Sequence, residues 1–274
     1  MGDLAADTAV RPTGSTTFAV TLDPSWEIWG PQGGYVAACA LRAAGAASRH
    51  AFPVSLSCHY LGVASWGEAE LRVATRKEGR SAAAYRVEMT QHGRPILDAM
   101  VWTADAVEGL EYDDTEMPVV PAPEDVRLVE ELLPAGDWPP YPFWQNLQYK
   151  LPGVTWPPDG PDEAIWRPWL RFVPPPVGDD VWVDAARAVI LIDLASWPAV
   201  QSRHGWQQPE YVAPTLDLNV AFHGPALGQD WLLCDSAAPL STRGLFGWNA
   251  RIWSSDGTLH ASGGGQCRYR RLPD

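Results

Sequence analysis

Asp193 is a carboxylate in a costly place. It stands in "VILIDLASW", an otherwise apolar run, and apolar surroundings penalise an ionised acid. Such a group has either a partner or a task. A second feature is "WEIWGPQGGY", which opens an Ala-rich run ending at Ser48. A helix start leaves backbone N–H groups without partners, and glycines let another group come close to them. Gly33 and Gly34 therefore either pack the helix start tightly on a sheet or hold its amides open to a ligand. Other chemistries find little support. The cysteines Cys39, Cys58, Cys234 and Cys267 are scattered, with no C-x-x-C pair, so free buried thiols and no metal are expected. The six histidines do not cluster at ligand spacing, and His59 and His223 read as structural. Neither "GRS" nor "GGG" forms a nucleophile elbow or a phosphate loop.

The bulk numbers bound the partners. The chain has 274 residues, 46% apolar and 19% charged, which is a globular composition. A net charge of -13 argues against a general nucleic-acid surface, which needs clustered Lys and Arg. "MGDLAADTAV" has no signal-peptide character, and no run approaches the roughly 18 apolar residues of a membrane helix. A cytoplasmic location is expected, with neither nucleic acid nor membrane as partner. Fifteen tryptophans supply core bulk and could also line an apolar cavity.

The elements that must position these residues occur twice. "PVSLSCHYLG" alternates as a strand after the first helix, and Glu68 to Ala104 reads as three strands with turns at Glu78-Gly79-Arg80 and His92-Gly93-Arg94. Later, Ala185 to Gly205 reads as an apolar helix, "PTLDLNVAFHGPA" alternates again, and more strands follow with turns near Thr242-Arg243-Gly244 and Asp256-Gly257. Pro53 matches Pro214, Tyr60 matches Phe222, Arg80 matches Arg243 and Gly93 matches Gly257, offset by roughly 161–164 residues. Opening strands are expected at Ser15–Leu22, Phe143–Gly153 and Glu163–Val173. The expected organisation is an N-terminal repeat at 1–104, a proline-rich linker with a short acidic helix at 105–140, and a C-terminal repeat at 141–274. Each repeat is an antiparallel sheet wrapped around one buried helix, an α+β architecture.

A helix opened by "GPQGGY" inside a curled sheet resembles the hotdog fold. Two such units in one chain resemble the acyl-CoA thioesterase II family (TesB-like, double hotdog). The likeness is sharper in the C-terminal copy, at "LIDLASWPAV", "PTLDLNVAFHGP" and "RGLFGWNARIWSSDGTLHASGGGQCRYR". It departs from the family's Asp-His-x-x-Trp-Phe-His strand, which here reads "DLNVAFH" with Leu218 in place of the first His. The resemblance places the family's catalytic Asp on Asp193, its Thr on Thr215 and its Gln on Gln266. Because "ASGGGQ" carries an extra glycine, it implies either a bulge or Gly265 in the third position.

What the resemblance implies is hydrolysis of an acyl-CoA thioester, with no cofactor beyond the CoA of the substrate. Asp193 would take a proton from water held by Thr215 and Gln266. The helix start at Gly33, Gly34 and Tyr35 would meet the thioester carbonyl. Arg76, Lys77 and Arg80 either line a solvated turn or contact CoA phosphates. The internal pair of repeats leaves room for further homo-oligomerisation. Two alternatives stand beside this reading. A hydratase on the same fold would need an Asp-His pair on the loop entering the helix, which neither helix has. A non-catalytic acyl or small-molecule binder would keep the pocket and lack turnover.

Overall fold

The structure is a computed structural model that describes residues 1–133, 141–153, 163–205 and 210–272. A short helix α1 (Leu4–Asp7) and strands β1 (Arg11–Pro12) and β2 (Thr17–Leu22) lead to helix α2 (Gly33–Ala47). Four strands follow, β3 (Phe52–Tyr60), β4 (Gly67–Glu78), β5 (Ala82–Gln91) and β6 (Arg94–Ala104). The second half opens with β7 (Leu147–Lys150), β8 (Ile165–Trp166) and β9 (Trp169–Phe172), then helices α3 (Val181–Leu194) and α4 (Ser196–His204). It closes with β10 (Tyr211–Val212), β11 (Thr215–Phe222), β12 (Leu232–Thr242), β13 (Leu245–Ser254), β14 (Leu259–Arg268) and β15 (Arg270–Arg271).

Thirteen of these strands form one sheet in the order β1-β2-β4-β5-β6-β3-β11-β14-β13-β12-β9-β7, with β8 on β12. Read outward from the β3–β11 seam, the two halves match strand for strand: β3, β6, β5, β4, β2 on one side and β11, β14, β13, β12, β9 on the other. The seam is antiparallel, with Cys58 opposite Leu218 and His59 opposite Asp217. Alternating burial along β5 and β11 turns one face of each strand to the helices.

Helices α2 and α3 lie antiparallel within this curl. One end of the pair is fixed where the Arg42 guanidinium meets Asp180 at 2.6 Å. At the other end a Cβ on Gly34 would lie 2.7 Å from the Ile190 Cα, so the helix backbones touch at a contact only glycine permits. The caps explain where the helices begin. Gln32 caps α2, its Oε1 accepting from Tyr35 N at 2.6 Å. Asp180 caps α3 by accepting from Trp182 N and Val183 N, which starts that helix four residues before the Ala185 expected from the apolar run. The same run breaks after Leu194, and Pro198 sits in the first turn of α4, where a missing N–H costs nothing. In the proline-rich stretch, two 3-10 turns at Pro123–Asp125 and Val129–Glu131 replace the expected acidic helix. The last part of that expected linker, 134–140, lies outside the described residues. Among the described residues no helix is long and apolar enough to cross a membrane.

Candidate active site

Asp193 lies in the last turn of α3, 6% exposed. It faces the start of α2 across the seam between repeats. One carboxylate oxygen, Oδ2, accepts from Gly34 N at 2.8 Å and from Gln32 Nε2 at 2.6 Å. The other, Oδ1, accepts from Thr215 Oγ1 at 2.8 Å. Thr215 is the first residue of β11, so helix end, helix start and strand start converge on one acid. Burial pushes its pKa up to about 6, although the bonds from Thr215, Gly34 and Gln32 pull the other way. At neutral pH the acid is ionised, and Oδ1 keeps a lone-pair direction for a further donor.

The structure therefore brings Asp193, Thr215, Gly33 and Gly34 together, and separates the other expected site residues from them. Gln266 is exposed on the outer face of β14. Its amide lies along Gly247, where a Cβ would be 2.9 Å from Nε2. The reason is register. Cys267 pairs with Thr215 but Gln266 with Asp217, so the extra residue bulges at Leu216 on β11, not within the glycine run. The inward position opposite Leu218 falls to Gly265. There the Trp248 indole fills the space, its Cη2 3.1 Å from where a Gly265 Cβ would stand and its Nε1 donating to Ile192 O at 2.9 Å. The third donor to the carboxylate is Gln32, which the sequence reading passed over. Its only sequence signal was adjacency to Gly33-Gly34.

Tyr35 also departs from expectation. Its ring stacks on Trp26 at 5.1 Å and its hydroxyl donates to Asp7 O at 3.0 Å, away from Asp193. Its amide, like that of Gly34, is taken: Tyr35 N by Gln32, Gly34 N by Asp193. Gly33 N–H has no hydrogen-bond partner among the described residues. Arg76 and Lys77 end β4, and Arg80 occupies the turn that follows. That turn adjoins the end of α2, since Arg49 bonds Gly79 O. It thus lies a helix length, about 20 Å, from Gly33. These three cations are not at the site. The turn of their counterpart, Arg243, is at the Asp193 end of the sheet instead, since it leads into Leu245, which pairs with Arg268 next to Cys267.

Three further side chains reach the site. The thiol of Cys267 lies 3.8 Å from Thr215 Oγ1, and Cys58 lies on the neighbouring β3. Burial pushes both thiols up to about 12, so neither is a thiolate nucleophile at neutral pH. Tyr60, on the inward face of β3, brings its hydroxyl to 3.2 Å from where a Gly33 side chain would begin. The equivalent corner at the far end of the helix pair is closed: Gly45 stands where the repeat would put a carboxylate, and the Trp182 indole packs on it, 2.5 Å from where a Cβ would be. The helix pair thus carries a carboxylate at one end and an indole at the other.

Comparison with known proteins bears on the fold and the family. Residues 22–104 match the model of an acyl-CoA thioesterase N-terminal domain, and residues 123–263 that of an acyl-CoA thioesterase C-terminal domain. The chain is 26% identical over 230 residues to human acyl-coenzyme A thioesterase 8, covering 75% of this chain and 69% of that protein. Among solved structures, a hot dog fold protein of unknown function from Alicyclobacillus acidocaldarius superposes with TM-score 0.82 at 21% identity, covering 100% of both chains. An acyl-CoA thioesterase II, TesB2, from Mycobacterium marinum superposes with TM-score 0.80 at 19% identity, over 98% of this chain and 99% of that one. These likenesses establish the hot dog fold in both halves.

Proposed function

The chain belongs to the acyl-CoA thioesterase family, and on that premise we propose that it hydrolyses acyl-CoA thioesters by direct attack of a water activated by Asp193. The observation that carries the reading is the position of that carboxylate, buried, bonded to Thr215 and to the α2 amide, with its pKa near 6. A base whose pKa lies just below neutrality is ionised yet able to hold a proton in the transition state. Water on the free side of Oδ1 attacks the acyl carbon and yields its proton to Asp193. The carbonyl electrons move to oxygen, where Gly33 N–H and the N-terminal end of the α2 dipole stabilise the negative charge. Collapse breaks the C–S bond, the acid is released, and the proton on Asp193 passes to the departing thiolate.

Substrate contacts follow from the same corner. Trp29 and Trp197 meet edge to face at 5.4 Å, one just before the α2 start and one just after Asp193. The acyl group would lie against this aromatic wall. Arg243, Arg268 and Arg270 are exposed, make no ion pair among the described residues, and stand at this end of the sheet, which suits CoA phosphates better than Arg76, Lys77 and Arg80. One observation favours the alternative of a non-catalytic acyl binder: Gln266 is turned out of the site. Free-thiol release from a panel of acyl-CoAs decides between them. Turnover by the wild-type protein supports the hydrolase; acyl-CoA binding with no thiol release refutes it and leaves the binder.

A further inference from the structure

The hydroxyl of Tyr60 is buried and forms no well-aligned hydrogen bond, with only the weakly bonding thiol of Cys58 beside it. Such a group loses its hydration without compensation. Only two other described side-chain atoms share that condition, His50 Nε2 and Trp253 Nε1. His50 lies beyond the far end of α2, against Asp105, and Trp253 belongs to a separate small cluster with Trp169 and Leu233. Tyr60 alone stands at the active corner. A Cβ on Gly33 would lie 3.2 Å from its hydroxyl oxygen and 2.9 Å from Asp193 Oδ2. Hydroxyl, carboxylate and bare helix start therefore converge at one point, so closely that a Gly33 side chain would collide with the carboxylate.

The donors around that point are otherwise committed. Gly34 N and Gln32 Nε2 serve Asp193 Oδ2, Thr215 serves Oδ1, and Tyr35 N serves Gln32. A thioester carbonyl entering here finds one amide, Gly33 N–H. A second donor aimed at the same oxygen would add transition-state stabilisation of comparable size.

We propose that Tyr60 is the second donor: its O–H binds the thioester carbonyl oxygen together with Gly33 N–H, and the bond strengthens as charge develops there. Burial, with Cys58 and Asp193 adding to it, holds the phenol well above its ordinary range, so the group keeps its proton throughout the neutral region. The residue is catalytic in the strict sense, since it touches the reacting group. The proposal rests on the thioesterase reading above.

The test is Tyr60→Phe, which removes one oxygen and leaves the ring. Losing one oxyanion donor should lower kcat roughly 100-fold or more, with KM changed no more than about threefold and the acid limb of the pH–rate profile unmoved. Binding supplies a second readout. A ketone analogue of acyl-CoA presents the carbonyl and a thioether analogue lacks it; the wild type should prefer the ketone, and Tyr60→Phe should lose that preference. Since the hydroxyl makes no well-aligned hydrogen bond in the resting protein, thermal stability should stay level or rise. A kcat retained within threefold, an undiminished ketone preference, or an acid limb displaced with the plateau rate intact would overturn the proposal; the last would make Tyr60 a partner of the carboxylate instead. If the Phe variant fails to fold, Tyr60→Met fills the space without a hydroxyl and carries the same expectations. Absence of thiol release by the wild type would count against the thioesterase reading, while a ketone preference lost in Tyr60→Phe would still report the carbonyl contact.

Discussion

Replacing Asp193 by Asn should make the protein more stable at neutral pH while disabling it, and the size of the gain should depend on pH. The acid is raised from 3.8 to about 6 in the folded state, so folding takes up a proton between those values. The sign follows: stability from this group is fully present below about pH 4 and is lost as pH rises through 6. At 1.36 kcal/mol per pH unit, the full swing is about 3 kcal/mol. Roughly half of it falls between pH 5 and pH 8. Asn is close in shape, can accept from Gly34 and Gln32 with its oxygen, and can donate to Thr215 with its nitrogen. Urea denaturation of both proteins at pH 5, 6, 7 and 8 reads the difference directly. The stability advantage of Asp193→Asn should grow by about 1.4 kcal/mol from pH 5 to pH 8. A difference independent of pH, or a variant that loses ground to the wild type as pH rises, would refute the idea that burial dominates at this carboxylate.

Thr215→Ala removes the bond on Oδ1, so the kinetic pKa should move above 6 and kcat fall about 10–100-fold, with Thr215→Ser restoring most of both; a steady-state pH profile reads each. Gln32→Ala should lower kcat roughly tenfold and cost about 1 kcal/mol of stability through the lost cap, whereas Gln266→Ala should leave thiol release within about threefold of wild type. Gly34→Ala drives a methyl into the Ile190 backbone and should lower stability by about 2 kcal/mol or more in chemical denaturation. Charge reversal of Arg243 and Arg268 should raise KM for acyl-CoA roughly tenfold, while the same change at Arg76 and Arg80 should leave it level.

The parts of this site that were legible in the sequence are those whose side-chain type conflicts with its surroundings. An acid inside "VILIDLASW" and a glycine pair at the mouth of an apolar helix each break a local rule, and both stand where the two repeats meet. Strand alternation and paired landmarks likewise carried the duplicated fold, because a half-buried strand keeps apolar residues at every second position even where their identities change. What escaped depends on registers and partners. Gln266 faces outward because of a bulge at Leu216, and the neighbouring strand that creates it leaves no mark near the glycine run. Gln32 looks like an ordinary cap until Asp193 is seen beside it. Nor does sequence show which end of the helix pair a turn occupies: Arg80 and Arg243 match in sequence, but the antiparallel helices put only the latter's turn at the Asp193 end.

The account turns on a buried acid that must lose its proton before water can be activated, and the pH dependence of kcat/KM for acyl-CoA hydrolysis measures that step. The wild type should show an acid limb falling tenfold per unit below about pH 6, and Asp193→Asn should retain only a slow rate without that limb. A wild-type rate that stays level down to pH 4.5, or a variant that keeps both the rate and the limb, would contradict it.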